Sequence, residues 1–299
     1  MRPIVIGSRG SALALWQAQW TKSQLERLGH AVTIEIISTL GDRIQDSTLA
    51  AAGGTKALFV KEIEEALLAG SIDVAVHSLK DMPAEIPAGL EIGAIPERED
   101  PRDVLIGRAN PGALVGTSSL RRAAQLRAKF PGVTIAPLRG NLDTRVHRLD
   151  EGKWDGIIVA AAGLHRLGMA ARITRYLEVS EMCPAIGQGA LAIEVRAGDD
   201  TVKSLISSNL DHESTRRCVT AERVVMRVLQ GGCRLPVAAH ARIVNGQLVM
   251  IGLVASPDGQ RIVEASGVGG APEELGERVA ADLLKQGAAK ILEDINAQG

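Results

Sequence analysis

The chain has 299 residues, of which 45% are hydrophobic, 23% charged and only 2% aromatic, and its formal net charge is −1. That length suits two or three domains with cores of Leu, Ile, Val and Ala. The near-neutral charge and scarce aromatics exclude a binder that relies on long-range attraction to a polyanion or on base stacking. Three cysteines, Cys183, Cys218 and Cys233, form neither a disulfide framework nor a metal-finger spacing, and the six histidines make no metal-ligand cluster. No metal is therefore expected, and a reducing compartment fits. The opening Pro3-Ile4-Val5-Ile6 reads as neither signal peptide, transit peptide nor membrane span, so a cytoplasmic protein is expected.

In chain order, a strand at 4–7 leads through a loop into a helix at 11–28, stopped by Gly29. Strands follow at 32–38, 72–77 and 90–95, with a helix at 58–69 closed by Gly70. This alternation predicts a mainly parallel sheet with helices on its faces. The charged, proline-bracketed stretch 96–102 reads as a linker. A second series has strands at 114–116, 133–136 and 157–160 and helices at 119–129, 141–149 and 162–167. The strand at 191–195 has no place in that series and is expected to return to the first sheet. Two crossings would then form a hinge around a cleft. The last third changes character. Asp211 can cap a helix running to 229, and Gly231-Gly232 ends it. Strands at 237–244, 247–256 and 261–267, joined at Asn245-Gly246 and Pro257-Asp258-Gly259, read as an antiparallel meander, with a helix at 272–286 and another near the C-terminus. The expected domains are 1–97 with 191–211, then 98–190, then 212–299.

Several segments can carry chemistry. Val76-His77-Ser78-Leu79-Lys80-Asp81-Met82-Pro83 ends a strand in a polar cluster, which puts Lys80 and Asp81 at the carboxyl edge of a parallel sheet, where ligands bind. Read by spacing alone, the same pair is also an ordinary solvated loop. Gly116-Thr117-Ser118-Ser119-Leu120-Arg121-Arg122 exposes backbone N–H groups at a helix start and adds two cations where acids are the rule, so an anion is expected there. A hydroxyl-capped helix with solvent-facing arginines is the alternative. From Thr117 to Arg148 there are seven Arg or Lys and one acid, Asp143. Arg9, Arg139, Arg145 and Arg166 extend the theme, because guanidinium groups bind carboxylates in bidentate fashion. Any one of them alone could be a surface arginine, and Arg148 is read as one. Gly231-Gly232-Cys233-Arg234 places a thiol in a close-approach loop beside a cation, equally readable as a reactive sulfur or a small buried hydrophobe. Cys183 and Cys218 are read as structural.

Taken together, these segments resemble the porphobilinogen deaminase family. The resemblance is carried by Arg9-Gly-Ser-Ala-Leu-Ala-Leu-Trp-Gln17, Leu58-Phe-Val-Lys-Glu62, Val76-His-Ser-Leu-Lys-Asp-Met-Pro83, Glu97-Arg-Glu-Asp-Pro-Arg-Asp103 and Gly116-Thr-Ser-Ser-Leu-Arg-Arg122. It continues through Leu138-Arg-Gly-Asn141, Gly163-Leu-His-Arg-Leu-Gly168, Pro184-Ala-Ile-Gly-Gln-Gly189 and Gly231-Gly-Cys233. The resemblance implies an α/β fold with two domains like type II periplasmic binding proteins, plus a small C-terminal α+β domain with a three-stranded antiparallel sheet. It implies a transferase that joins four porphobilinogen units head to tail on a dipyrromethane cofactor, held by a thioether to Cys233, with release of hydroxymethylbilane. Asp81 would be the catalytic acid. Arg9, Ser11, Lys80, Ser119, Arg121, Arg122, Arg139, Arg145 and Arg166 would hold cofactor and substrate carboxylates, and Phe59 would lie near the pyrrole rings. Departures are small: Thr55 and Ala57 stand where the family often has glycine, and Gly10 and Ala12 replace larger or imino residues.

The expected partner is the small molecule porphobilinogen, with no nucleic acid and no membrane, and a monomer is expected because nothing demands a dimer. The chief rival is a two-lobed binding protein that captures a small polycarboxylate without chemistry. It explains the arginines and the hinge but has no use for Asp81 or a reachable Cys233.

Overall fold

The computed structural model describes residues 2–40, 60–230 and 235–297. The chain divides into two compact units, Met1–Arg98 with Ala190–Arg216 and Glu99–Gly189 with Arg217–Gly299.

In the first unit, β1 (Ile4–Ser8), β2 (Val32–Ile36), β3 (Val74–Ser78), β4 (Leu90–Ala94) and β10 (Leu191–Arg196) form one sheet in the order β2-β1-β3-β10-β4. β1 runs parallel to β2 and to β3, with Ile4 opposite Val32 and Ile6 opposite Val74. β10 enters between β3 and β4 and runs antiparallel to both, with Leu191 opposite Ser78 and Arg196 opposite Leu90. The sequence pattern suggested a mainly parallel sheet; the strand that returns from outside arrives from the opposite edge and makes it mixed. Helix α1 (Ala12–Arg27) is capped by Ser11, whose Oγ accepts from the Ala14 N–H at 3.3 Å. In α2 (Lys61–Ala69), Ile63 and Leu67 lie one turn apart and both are buried against Ile72, Ala75 and Leu90. Losing the Leu67 side chain to Ala should cost about 2–5 kcal/mol.

The second unit holds two sheets. β5 (Asp103–Gly107), β6 (Leu114–Gly116), β7 (Thr134–Ala136), β8 (Gly156–Ala160) and β9 (Arg175–Leu177) are ordered β7-β6-β8-β5-β9. β6 is parallel to β7 and β8, whereas β5 is antiparallel to β8 and β9. The order repeats that of the first sheet, with β5 in the place of β10. Each sheet thus has the strand order second, first, third, inserted, fourth, the α/β architecture expected for both domains. Helices α3 (Leu120–Lys129), α4 (Leu142–Asp150) and α5 (Ala161–Arg166) follow β6, β7 and β8. The strands at Asp103–Gly107 and Arg175–Leu177 were not anticipated, nor was α6 (Asp200–Leu210) of the first unit. The run Asp103-Val-Leu-Ile-Gly107 follows so many charges that it reads as more linker, although Val104 is fully buried.

The small C-terminal part is the three-stranded antiparallel sheet β11 (Val237–Val244), β12 (Gln247–Ala255) and β13 (Ile262–Gly269), as the meander pattern suggested. Asn245 at φ +49° and Gly246 at φ +78° make the two-residue hairpin turn, which needs both residues in the left-handed region. Helices α7 (Glu213–Val228), α8 (Pro272–Lys285) and α9 (Ala288–Asn296) add Val225, Val279, Leu283 and Ile291 to a core with Leu248 and Met250.

Candidate active site

The first unit gathers four of the expected residues on one sheet edge. β1 and β3 are adjacent and parallel, so the segments that leave their carboxyl ends emerge together. Arg9 and Ser11 follow β1; Lys80 and Asp81 sit in a single 3-10 turn, Leu79–Asp81, directly after β3. Lys80 and Asp81 are both part-buried. The turn is pinned from two sides. Leu79 N–H donates to the Ala190 carbonyl at 3.0 Å, and the buried Gln17 of α1 donates from Nε2 to Ser78 Oγ at 2.8 Å. Ser11 is occupied locally as the cap of α1.

Behind the turn lies a buried polar cluster that was not anticipated. His77 Nε2 and Glu194 Oε2 are 3.1 Å apart, with side chains 4% and 0% exposed. Glu64 of α2 is buried close by. Burial first, and then the negative charge of Glu194, push its carboxyl above the ordinary value, while His77 opposes them.

In the second unit, β6, β7 and β8 end at one edge and send out the segments that bear Ser119, Arg121 and Arg122, then Arg139 and Arg145, then Arg166. Ser119 caps α3 and accepts from Arg122 N–H at 3.4 Å. Arg139 is exposed, and Arg145 donates from Nε to the Gly140 carbonyl at 2.8 Å. Arg148 is exposed and donates to the Arg139 carbonyl. Arg166 donates from Nη2 to the Gly189 carbonyl at 2.7 Å; burial brings its guanidinium down to about 10, with Glu99 opposing, so it remains cationic near neutrality. Gly189 has φ +88°, and a Cβ there would stand 2.3 Å from the Glu99 carbonyl oxygen, so only glycine fits.

For Arg121 and Arg122 the solvent-facing alternative is the reading that the structure overturns. They do not face solvent, and for both the anion expected at this helix start is found within the chain. They are 5% and 6% exposed and close on Asp103, which is fully buried. Asp103 Oδ2 accepts from Arg121 Nη1 at 2.7 Å, and Oδ1 accepts from Arg122 Nη2 at 2.7 Å and Nε at 3.0 Å. Because β5 is antiparallel to β8, its first residue, Asp103, lies opposite Ala160 at the edge where β8 ends. Burial alone would raise the Asp103 carboxyl; the two guanidiniums override it and hold it well below the usual range.

Two further acids and a glutamine complete this edge. Gln188 donates from Nε2 to Asp103 Oδ1 and to the Pro101 carbonyl. Buried Glu222 of α7 accepts from Gly187 N–H and from Ala241 N–H, both at 2.8 Å, and so ties the 184–189 turn to β11. Glu99 lies 3.1 Å from His165 Nδ1. Sequence reading passed over Asp103, Gln188 and Glu222. The available signal was the pair of adjacent arginines at a helix start, which demands a carboxylate somewhere.

Cys183 and Cys218 are both buried, and burial pushes the Cys183 thiol up to about 12. Cys233 and Phe59 lie outside the described residues. Among the described residues no group of three or more His, Cys, Asp or Glu could hold a metal ion.

Comparison with known proteins then adds independent information. Residues 4–204 match the family model described as porphobilinogen deaminase, dipyromethane cofactor binding domain, and residues 216–285 match the porphobilinogen deaminase C-terminal domain. A porphobilinogen deaminase of Syntrophobacter fumaroxidans is 50% identical over 305 residues, covering 98% of each chain. One from Bacillus subtilis is 48% identical over 310 residues, covering 100% of this chain and 98% of its own. Among solved structures, a substrate binding domain of a putative amino acid ABC transporter from Streptococcus pneumoniae aligns over 70% of this chain and 91% of its own, at 13% identity and a TM-score of 0.44.

Proposed function

The chain belongs to the porphobilinogen deaminase family, and we propose how its own residues carry that family's reaction. It is a transferase of tetrapyrrole biosynthesis, a hydroxymethylbilane synthase, that joins four porphobilinogen units head to tail on a dipyrromethane cofactor with loss of ammonia at each addition.

In our reading Asp81 is the catalytic carboxylate. Loss of ammonia from the aminomethyl group of porphobilinogen leaves an electron-poor cation. A carboxylate beside the pyrrole N–H groups stabilises that cation and takes up the proton that ring substitution displaces. Lys80, one residue away in the same turn, and Arg9 on the same sheet edge hold acetate and propionate arms. Ser11 and Ser119 cap α1 and α3 and lend these helix starts to carboxylates. Arg121, Arg122, Arg139, Arg145 and Arg166 supply the cationic edge of the second unit, which suits a ligand rich in carboxylates. The dipyrromethane, attached through a thioether to Cys233, supplies the pyrrole on which the chain is extended. Phe59 is assigned to the ring environment.

We divide the chain into a discontinuous first domain, 1–97 with 191–211, a second at 98–190 and a third at 212–299. We place the enzyme in the cytoplasm as a monomer that acts on a small molecule and binds no nucleic acid. The support is that no described helix is long and apolar enough to cross a membrane, that neither described cysteine is in a disulfide, and that net charge is −1.

The observation that carries the site assignment is the 3-10 turn that presents Lys80 and Asp81 on the edge shared with Arg9. The experiment is intact mass of the purified protein beside Cys233→Ser. An excess equal to two porphobilinogen units less two ammonias, absent from the variant, supports the attachment site. The same excess in both would remove Cys233 from it.

A further inference from the structure

We propose that His165 is a positioning residue for this reaction: held between Glu99 and Tyr176, it fixes the end of α5 from which Arg166 reaches ligand carboxylates. This rests on Arg166 being carboxylate-binding, and adds to it a residue that need not touch the ligand.

The length of α5 creates the need. Its six residues, Ala161–Arg166, make fewer than two turns, too few to hold the direction of the last side chain unaided. Arg166 is that last residue, and a flexible arginine must lose many rotamers before it can bind a carboxylate along two parallel bonds. The residue beside it supplies the anchor. Burial would raise the Glu99 carboxyl; the Asp100 N–H at 2.8 Å and then His165 override it and hold it below its ordinary value, so it accepts as a carboxylate. His165 donates from Nδ1 to Glu99 Oε1 at 3.1 Å, and across the ring its Nε2 lies 2.9 Å from the Tyr176 hydroxyl.

Both partners are themselves fixed. The Arg102 guanidinium lies 4.4 Å over the Tyr176 ring and is held by Asp100 at 2.8 Å and by Glu178 at 2.7 Å. The Glu99 N–H donates to the Gly189 carbonyl at 3.3 Å, the same oxygen that accepts from Arg166 Nη2 at 2.7 Å. One network therefore locates both ends of the Arg166 side chain: His165 sets the backbone from which it starts, and Glu99 sets the carbonyl on which its guanidinium leans.

Exposure separates this arrangement from a device for stability. The His165 and Glu99 side chains are 24% and 40% exposed, where such a pair adds little to folding. What the contacts supply is direction, and the side chain they direct is a cation at the carboxyl edge of the sheet.

Three substitutions test this. His165→Leu removes both ring contacts, His165→Asn keeps a donor near the place of Nδ1, and Tyr176→Phe removes the hydroxyl while leaving the ring under Arg102. Each is measured for melting temperature and for kcat and KM with porphobilinogen, per cofactor-bearing protein as read by intact mass; His165→Leu is also combined with Arg166→Lys. His165→Leu is expected to lose about tenfold in kcat/KM, chiefly through a higher KM, with a melting temperature within about 4 °C of wild type. Tyr176→Phe should raise KM less, and His165→Asn should recover most of the loss. Added to Arg166→Lys, His165→Leu should cost nothing more, because it acts through that arginine.

A wild-type KM in His165→Leu or in Tyr176→Phe would overturn the proposal. So would no recovery with Asn, or losses that multiply with Arg166→Lys. If His165→Leu does not fold, Tyr176→Phe decides by the same measure of KM. If Arg166→Lys alone keeps wild-type kcat/KM, the carboxylate-binding reading of Arg166 has failed, and that outcome is visible without any His165 variant.

Discussion

In the first sheet the inserted strand β10 brings Glu194 to His77; in the second, the inserted strand β5 brings Asp103 to Arg121 and Arg122. The two sheets share a strand order, and in each the strand that runs against its neighbours carries a buried acid. The partners differ in kind. In the first sheet one imidazole nitrogen meets one carboxylate oxygen at 3.1 Å. In the second, two planar guanidiniums, both permanent cations, take both oxygens of Asp103. One architecture thus yields a buried pair joined at a single contact behind the turn that bears Asp81, and a multiply anchored arginine cluster at the sheet edge of the other unit.

The largest test of that contrast is Asp81→Ala. With general acid–base help removed, turnover of porphobilinogen should fall by about 10²–10⁴-fold while the melting temperature stays near wild type. Retained turnover would strip the first unit of its chemical role. Next comes Asp103→Ala, which strands two buried guanidiniums and should cost about 3–5 kcal/mol in a denaturant titration. Its pH dependence has a definite sign. The folded-state carboxyl is held below its unfolded value, so the contribution is complete above the ordinary carboxylate range and is lost only as pH falls below it. The stability gap between wild type and variant should be flat from pH 5 to 8 and close in stronger acid.

A smaller effect compares the two cap serines. Ser11→Ala and Ser119→Ala should each cost about 1 kcal/mol of stability through loss of the cap. A rise in KM beyond that shared loss, in one variant only, would mark the serine that also meets the ligand. The smallest is Glu64→Gln. Burial raises the folded-state carboxyl, so wild type loses stability as pH climbs through the carboxylate range and the neutral variant does not. The variant's advantage in melting temperature should therefore widen from pH 4 to pH 7. A constant difference would show that Glu64 carries no strained charge.

The legibility of the sequence followed the locality of the physics. The start of α1 at Ser11, the left-handed stop at Gly70 and the Asn245-Gly246 turn each rest on residues within a few positions, and pattern reading finds them. Lys80 and Asp81 were legible because a strand followed by a polar cluster and proline is itself local. Asp103 was not. Its meaning depends on a partner strand at 156–160 and on arginines almost twenty residues away, and in one dimension it is the last charge of a charged linker. Glu194 and Glu222 were missed for related reasons: Glu194 sits in a mostly apolar strand where an acid reads as an exposed exception, and Glu222 in a helix with five other charged residues among which nothing local marks it as buried. Arg121 and Arg122 were half legible. Their need for an anion was evident, but whether it came from a ligand or from the chain depended on a strand not yet placed.

The order of the strands also bears on how the protein is made. As the ribosome extends the chain, β1 to β4 emerge well before β10. Until Leu191–Arg196 follows, β3 and β4 lack the neighbour that later lies between them, and a row of backbone groups waits without partners. The second five-stranded sheet has no such wait, since its strands run without interruption from Asp103 to Leu177. The sheet that begins the polypeptide is therefore the later of the two five-stranded sheets to be completed, and in the interval its open edge is the surface a chaperone would shield.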